Sequence, residues 1–175
     1  VLLADTYRQA VAAGLAGASI EDSTGMRRLP LFDVAEAADR VRIAAAAAHA
    51  SSPAFVLTAR AENYLHGQRD LSDVIARLQA YQEAGADVLY APGLSDAAEI
   101  RSVVANVDRP VNVLFGPTGQ TVAELAALGV ARISIGGSFA FAAYGAAAQA
   151  AREFLQQGTN GFAALARAGH DASGL

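Results

Sequence analysis

Three segments of the sequence repeat one order of local signals: a helical pattern, a glycine, a short turn and an apolar run. They read VAAGLAGASI from residue 11, QEAGADVLY from residue 82 and AALGVARIS from residue 126. A helix that leads through glycine into a short apolar strand is typical of βα units, in which helices connect parallel strands. The repetition predicts the α/β fold class, with the strands in a barrel or a doubly wound sheet.

Five runs are predicted to be strands because they are short and apolar on both alternating faces, as in parallel strands covered on both sides. They cover residues 16–20, 54–59, 87–91, 110–115 and 131–136. Helical patterns cover 2–13, 33–50, 70–84, 95–106, 121–128 and 138–157. Asp70 is predicted to cap one of these helices, and Thr121 with Glu124 forms a capping-box pattern.

The length of the chain limits how much of a barrel it can form. A (β/α)8 TIM-type barrel typically takes about 250 residues, whereas this chain has 175 and five strand-like runs. We therefore predict an incomplete barrel of about five parallel strands, and we expect two or three strands to be absent before Val1. Residues 1–175 are predicted to form a single domain, the C-terminal portion of such a barrel.

Composition excludes several classes of function. The formal net charge is -4 and the charges are scattered, so nucleic acid is not an expected partner. Apolar tracts are shorter than the roughly 18 residues of a membrane span, and without a secretory signal the expected location is the cytoplasm. The sequence contains no cysteine and no lysine, which excludes disulfides, thiolate nucleophiles and Schiff-base chemistry by this chain.

Polar residues gather where the predicted strands end, which is where α/β folds with parallel strands bind ligands. Glu21 follows the first strand, Arg60 with Glu62 and Asn63 follows the second, and Asn112 lies in the fourth. Carboxylate oxygens suit Mg2+, and a guanidinium can hold a carboxylate or phosphonate by two hydrogen bonds. Structural roles remain open: Arg60 could neutralise Glu21 or pair with Glu62, and backbone groups could satisfy Asn112.

Other segments carry weaker signals. GPTGQT at 116–121 lacks the lysine and the spacing of a phosphate loop and is predicted to be a turn into a capped helix. His49, His66 and His170 are interpreted as structural or solvent-facing.

Five blocks in order resemble the isocitrate lyase and phosphoenolpyruvate mutase (phosphonomutase) superfamily. They are AGLAGASIEDSTG, FVLTARAENYLHG, RLQAYQEAGADVLYAPGL, RPVNVLFG and VAELAALGVARISIGGS, and the resemblance extends from about residue 5 to about residue 157. It implies a (β/α)8 barrel that depends on Mg2+ and acts on small 2-oxo or 2-hydroxy acids or phosphonates. In such enzymes a C–C or C–P bond is made or broken through an enolate-like state.

The resemblance also assigns roles to individual residues. Glu21 stands where the family holds its metal through water, with Asp22 as its orienting neighbour. Arg60 occupies the position of the family's arginine that binds the anionic group of the substrate. Asn112 occupies the position of an asparagine that faces the substrate. Arg60 and Asn112 are the candidate catalytic residues, and Glu62 and Asn63 are further candidates for substrate binding.

Two departures from the family pattern limit the expected reaction. The family's lyases carry a Lys, Cys, Gly and His run after the IED block, with the cysteine acting in proton transfer, whereas this chain has STGMRRLPLFD there. A mutase, hydrolase or decarboxylase is therefore favoured over isocitrate or methylisocitrate cleavage. The family's principal metal aspartates lie upstream of the IED block, and no counterpart stands between Val1 and Glu21.

Three hypotheses follow. The first is a Mg2+-dependent lyase or phosphonomutase-like enzyme, expected to be a homo-oligomer that exchanges the C-terminal helices between subunits. The second is a non-catalytic, truncated barrel fragment that self-associates, because an open sheet exposes pairing edges. The third, ranked last, is a sugar-phosphate barrel that binds phosphate at Gly136 and Gly137, which leaves the acidic IED block without a role.

Overall fold

The computed structural model describes residues 2–52, 54–116 and 119–174. In chain order its elements are α1 (Leu2–Ala12), β1 (Gly17–Glu21), β2 (Ser23–Met26), β3 (Leu29–Leu31), α2 (Val34–Ser51), β4 (Val56–Arg60), a 3₁₀ helix (Asn63–His66), α3 (Leu71–Glu83), β5 (Val88–Tyr90), α4 (Ala97–Ala105), β6 (Val111–Leu114), α5 (Val122–Ala127), β7 (Arg132–Ser134), α6 (Ser138–Gln157) and α7 (Ala163–Ser173). They divide into two compact units, one ending at Ser134 and the other beginning at Ile135.

The first unit is built on a five-stranded sheet in the order β1-β4-β5-β6-β7, and every neighbouring pair is parallel. This confirms the α/β class and the five predicted strands of a partial TIM-barrel-like fold. The predicted helix caps also form: the Asp70 carboxylate accepts from two backbone N–H groups, and Thr121 and Glu124 make a capping box. Pro117 and Thr118 of the predicted turn lie outside the described residues.

Four elements were not predicted from the sequence. β2 and β3 form an antiparallel hairpin directly after the IED block, in the segment where a loop was expected. The 3₁₀ helix follows β4, and α7 begins in the segment GTNGFAALARAGH, after the last predicted helix. The strands of the hairpin have only four and three residues, too few for an alternating pattern to be recognised.

The two faces of the five-stranded sheet differ in chemistry. Side chains alternate between the faces along each strand, and one face carries apolar residues that join the core: Ile20, Leu57, Ala59, Leu89, Val111 and Val113. The other face, which we call the polar face, carries one registered row across all five strands: Glu21, Arg60, Tyr90, Asn112 and Arg132. The sheet therefore places its polar chemistry on one side.

The sheet is curved around the polar face. Arg132 of β7 donates from Nη1 to Oγ1 of Thr58 in β4, at 3.2 Å. In a flat sheet these strands would lie three spacings of about 4.8 Å apart, about 14 Å in total. The contact therefore requires curvature of the kind found on the inner face of a barrel.

The second unit contains α6 and α7. The carboxylate of Glu153 in α6 accepts from Oγ1 of Thr159 at 2.6 Å and from the backbone N–H of Gly161, which fixes the turn between the helices. Large apolar side chains of α6 are exposed, among them Phe139, Phe141 and Tyr144. Across the described ranges, no helix is long and apolar enough to span a membrane.

Candidate active site

Arg60 lies between two carboxylates at the carboxyl end of the sheet. Its Nη1 lies 2.9 Å from Oε1 of Glu21, and its Nε lies 2.7 Å from Oε1 of Glu62. The Glu21 side chain is 44% exposed, whereas that of Glu62 is only 4% exposed. The cluster therefore has one accessible carboxylate, one buried carboxylate and a guanidinium held between them.

The strand register accounts for this arrangement. Glu21 is the last residue of β1 and pairs with Arg60, the last residue of β4, so their side chains leave the same face side by side. Glu62 lies two residues beyond Arg60, where the main chain has turned away from the strand. Arg60 therefore pairs with both carboxylates, an arrangement that is compatible with a structural role as well as with ligand binding.

The polar face continues from Arg60 toward β6. The Arg60 guanidinium carbon lies 5.2 Å from the centre of the Tyr90 ring, close enough for a cation–π contact. Burial raises the pKa of Tyr90, so its hydroxyl is protonated at neutral pH. Asn112 in β6 is 2% exposed and donates from Nδ2 to Oγ of Ser134 at 3.1 Å.

Asn112 also has an unused acceptor. Its Oδ1 is buried and has no hydrogen-bond partner in the described part of the chain. Buried polar atoms are normally hydrogen-bonded, so this oxygen is an unsatisfied acceptor on the polar face. Asn112 lies beside Tyr90 in the registered row.

Asn63 takes part in a different set of contacts. Its Nδ2 donates to Oδ2 of Asp73 at 2.6 Å, and its side chain is fully buried. The structure therefore brings Glu21, Arg60 and Glu62 into one cluster and connects Asn63 to helix α3.

Asp22 lies at the centre of that second set of contacts. Its Oδ1 accepts from the backbone N–H of Glu62 at 2.8 Å, and its Oδ2 accepts from the Tyr81 hydroxyl at 2.6 Å and from Arg77 Nη1 at 3.1 Å. The expected partner of Asp22 was Glu21, but its recorded contacts run to the β4 end and to α3. Sequence reasoning identified neither Arg77 nor Tyr81 as a partner of Asp22.

The described residues do not provide a complete metal site. Within the ranges 2–52, 54–116 and 119–174, no three His, Asp or Glu side chains come together as metal ligands. Glu21 offers one accessible carboxylate, and Glu62 is buried against Arg60. Mg2+ prefers six oxygen ligands, several of them water. These side chains can therefore contribute one carboxylate to the surroundings of the ion, and they cannot form a complete site.

Two histidines make specific contacts elsewhere. His49 Nε2 lies 2.9 Å from Oδ2 of Asp87, and the same oxygen accepts from the backbone N–H of Leu57. His66 Nε2 lies 3.2 Å from Oγ of Ser23 in the hairpin. Both contacts fit the interpretation of these histidines as structural.

Glu62 should make stability depend on pH. Burial raises the pKa of Glu62 above the ordinary value of 4.5, while the hydrogen bond and charge of Arg60 lower it, and burial has the larger effect. The folded state then binds the proton more tightly than the unfolded state, so stability decreases as pH rises from 4.5 through the higher folded pKa. Because glutamine does not titrate, Glu62→Gln is expected to gain unfolding free energy relative to wild type as the pH rises above 4.5.

Chemical denaturation of both proteins across that pH range measures this difference. The exposed Glu83→Gln is the matched control, because it removes a carboxylate outside the cluster. A pH-independent difference between Glu62→Gln and wild type would contradict the prediction.

A protein-family model and a solved structure both match most of this chain. The model of the family described as phosphoenolpyruvate phosphomutase matches residues 2–155. The crystal structure of a protein assigned as a lyase or mutase, from Burkholderia cenocepacia J2315, is 52% identical with a TM-score of 0.86. That match covers 91% of this chain and 58% of the other chain.

Curated relatives are similar over most of this chain. An uncharacterised protein of Mycobacterium tuberculosis H37Rv is 38% identical over 138 residues, which are 78% of this chain and 50% of the relative. The oxaloacetate decarboxylase of Pseudomonas paraeruginosa PA7 is 35% identical over 152 residues, covering 83% of this chain and 50% of the enzyme. The chain spans about half the length of these curated relatives.

Proposed function

Because this chain belongs to the phosphoenolpyruvate mutase family, we propose that it forms part of the active site of an enzyme that makes or breaks a C–C or C–P bond in a small 2-oxo acid or phosphonate. The observation that carries the proposal is the placement of Arg60 between Glu21 and Glu62 at the carboxyl end of the curved sheet. The oxaloacetate decarboxylase among the relatives, an enzyme named for a 2-oxo acid, supports this substrate class.

Arg60 is proposed to bind the anionic group of the substrate. A guanidinium has five N–H donors, and within the described residues the contacts to Glu21 and Glu62 use Nε and Nη1. Nη2 and the second N–H of Nη1 can then reach a carboxylate or phosphonate. A guanidinium whose orientation is already fixed stabilises negative charge in an enolate-like state without reorganising during the reaction.

Asn112 is proposed to contribute to the site from the polar face. Its Nδ2 is held by Ser134, so the amide orientation is fixed and the unpartnered Oδ1 is available as an acceptor. A fixed acceptor can bind a hydroxyl group or a water on the polar face. Tyr90, between Asn112 and Arg60 in the registered row, presents a neutral ring that keeps the guanidinium in place.

Mg2+ is proposed as the cofactor, with Glu21 contributing one carboxylate through water. When bound, Mg2+ would supply positive charge beside the oxygen atoms of a 2-oxo acid. Glu21 is suited to this role because its side chain is the exposed carboxylate of the cluster. The remaining ligands are proposed to come from outside the described residues.

A decarboxylase, hydrolase or mutase reaction is proposed in preference to cleavage by a cysteine-dependent lyase. The segment after the IED block forms the β2–β3 hairpin and contains neither lysine nor cysteine. A proton transfer by a thiol of this segment is therefore excluded.

A self-associating, non-catalytic scaffold is the second candidate. It is supported by the outer strands of the sheet, β1 and β7, and by the exposed aromatic side chains of α6. The homo-oligomer with exchanged C-terminal helices, proposed for the enzyme, would use the same helix. Turnover by an oligomeric protein favours the enzyme, and an oligomer without turnover favours the scaffold.

Direct assays of two substrates test the proposal. We expect the protein, with Mg2+ present, to convert oxaloacetate to pyruvate and carbon dioxide, or phosphonopyruvate to pyruvate and phosphate or to phosphoenolpyruvate. Saturable product formation that stops when EDTA removes the metal is the expected result. A folded protein that turns over neither compound would contradict the enzymatic assignment.

A further inference from the structure

We propose that Tyr81 and Arg77 of helix α3 are positioning residues that fix Arg60 for anion binding, acting through Asp22 and the main chain of Glu62. The inference rests on the proposed function, because it concerns how the same site binds its anionic ligand. It adds two residues that touch none of the candidate catalytic groups directly.

The chain of contacts begins at Asp22. One oxygen of its carboxylate accepts the backbone N–H of Glu62 at 2.8 Å, while the Glu62 side chain holds Nε of Arg60 at 2.7 Å. Asp22 is also the immediate neighbour of Glu21, which holds Nη1 of Arg60. The position of Asp22 therefore determines where both carboxylates present their oxygens to the guanidinium.

Helix α3 fixes the other oxygen of Asp22. Tyr81 and Arg77 are one helical turn apart and both donate to Oδ2, at 2.6 Å and 3.1 Å. The Asp22 side chain is 1% exposed and that of Arg77 is 9% exposed. Because hydrogen bonds to a buried carboxylate are strong and water cannot replace them, these contacts hold Asp22 in one orientation.

Arg77 is itself held by further contacts. Its Nε donates to Oδ2 of Asp73 at 2.8 Å, and its Nη1 donates to the backbone oxygen of Phe32 at 2.9 Å. Phe32 lies between the β2–β3 hairpin and α2, so α3 is joined both to the β4 end and to the segment after the hairpin. Asp73 also accepts from Asn63, which follows Glu62.

This arrangement does more than stabilise the core. A purely structural carboxylate could bind backbone groups anywhere in the first unit, whereas Asp22 binds the main chain of the residue whose side chain orients Arg60. Small displacements of a supporting residue are enough to weaken an ion-binding site. Loss of the Tyr81 hydroxyl should therefore weaken anion binding beyond its effect on stability.

A matched pair of tyrosine variants separates these two effects. Tyr81→Phe removes the hydroxyl that donates to Asp22, and Tyr64→Phe removes a hydroxyl that donates to the Glu99 carboxylate at 3.0 Å. Both tyrosines are buried. Oxalate, a small dianion, is titrated into each protein with Mg2+ present, and thermal unfolding is measured on the same samples.

Tyr81→Phe is expected to raise the Kd for oxalate about tenfold, the lower end of what loss of a supporting contact costs a bound ion. Tyr64→Phe is expected to lower the unfolding temperature about as much as Tyr81→Phe does, while its Kd for oxalate stays within about twofold of wild type. If Tyr81→Phe does not fold, Arg77→Lys, which keeps the charge, is tested with the same expectation.

Three results would overturn the inference. Wild-type affinity in Tyr81→Phe, with binding lost in Arg60→Ala, would reject the positioning role and leave the proposed function intact. Equal weakening in both tyrosine variants would show a general effect of stability. Absence of oxalate binding by the wild type would reject the proposed anion site together with the inference.

Discussion

Replacing Arg60 with alanine is expected to lower kcat/KM for the 2-oxo acid or phosphonate by about two to four orders of magnitude. Each hydrogen bond between a guanidinium and a charged group contributes roughly 1.5–3 kcal/mol. Arg60 is proposed to make two such bonds to the anionic group of the substrate. Alanine also leaves Glu62 buried without its positive partner, and this raises the pKa of its carboxyl further. Steady-state kinetics on the variant and the wild type measure the effect.

Arg42→Ala is the control for this experiment, because Arg42 forms an exposed ion pair with Asp39 on helix α2. It should leave kcat/KM unchanged. Arg60→Lys is expected to recover only part of the activity, since an ammonium cannot hold two carboxylates and a substrate anion in the planar geometry of a guanidinium. Wild-type kinetics in Arg60→Ala would show that the arginine only neutralises Glu21 and Glu62.

Replacing Asp22 with asparagine is expected to destabilise the fold by about 3 kcal/mol or more, the typical cost of removing one partner from a buried ion pair. The substitution preserves volume, so packing changes little. It leaves the Arg77 guanidinium, 9% exposed, beside a neutral amide. It also places an NH2 group or a weaker acceptor opposite the Tyr81 hydroxyl. Urea unfolding measures the change in free energy.

Asp39→Asn provides the comparison, because it removes the acidic partner of an exposed ion pair. Exposed pairs contribute roughly 0–1 kcal/mol, so this variant should unfold close to wild type. If Asp22→Asn were no less stable than Asp39→Asn, the buried network around Asp22 would not be a stabilising part of the fold.

Much of the fold could be predicted from local patterns. Gly17, Gly85 and Gly129 each lie at or near the start of a strand after a helix, and the five strands lie within about two residues of the predicted runs. The face of α3 that contains Val74, Leu78 and Tyr81 is buried, as its helical spacing indicated. The β2–β3 hairpin was missed because its short strands contain Gly25 and Pro30 and show no alternation.

The site was predictable only in part. The adjacency of Glu21 and Arg60 could be predicted, because strand ends are marked in the sequence and parallel strands end at one edge of a sheet. The partners of Asp22 could not be found, because Arg77 and Tyr81 lie 55 and 59 residues along the chain. Tyr81 also fits an apolar helix position, and nothing in a helical pattern shows that its hydroxyl meets a carboxylate from another element.

The Arg60 cluster is proposed to form part of an anion site that works with Mg2+. Calorimetric titration of Mg2+ into the protein, with and without oxalate, tests it most directly. Mg2+ and oxalate are each expected to bind more tightly when the other is present, because thermodynamic coupling between two ligands is reciprocal. A folded protein that binds neither ligand, alone or together, would contradict the proposal.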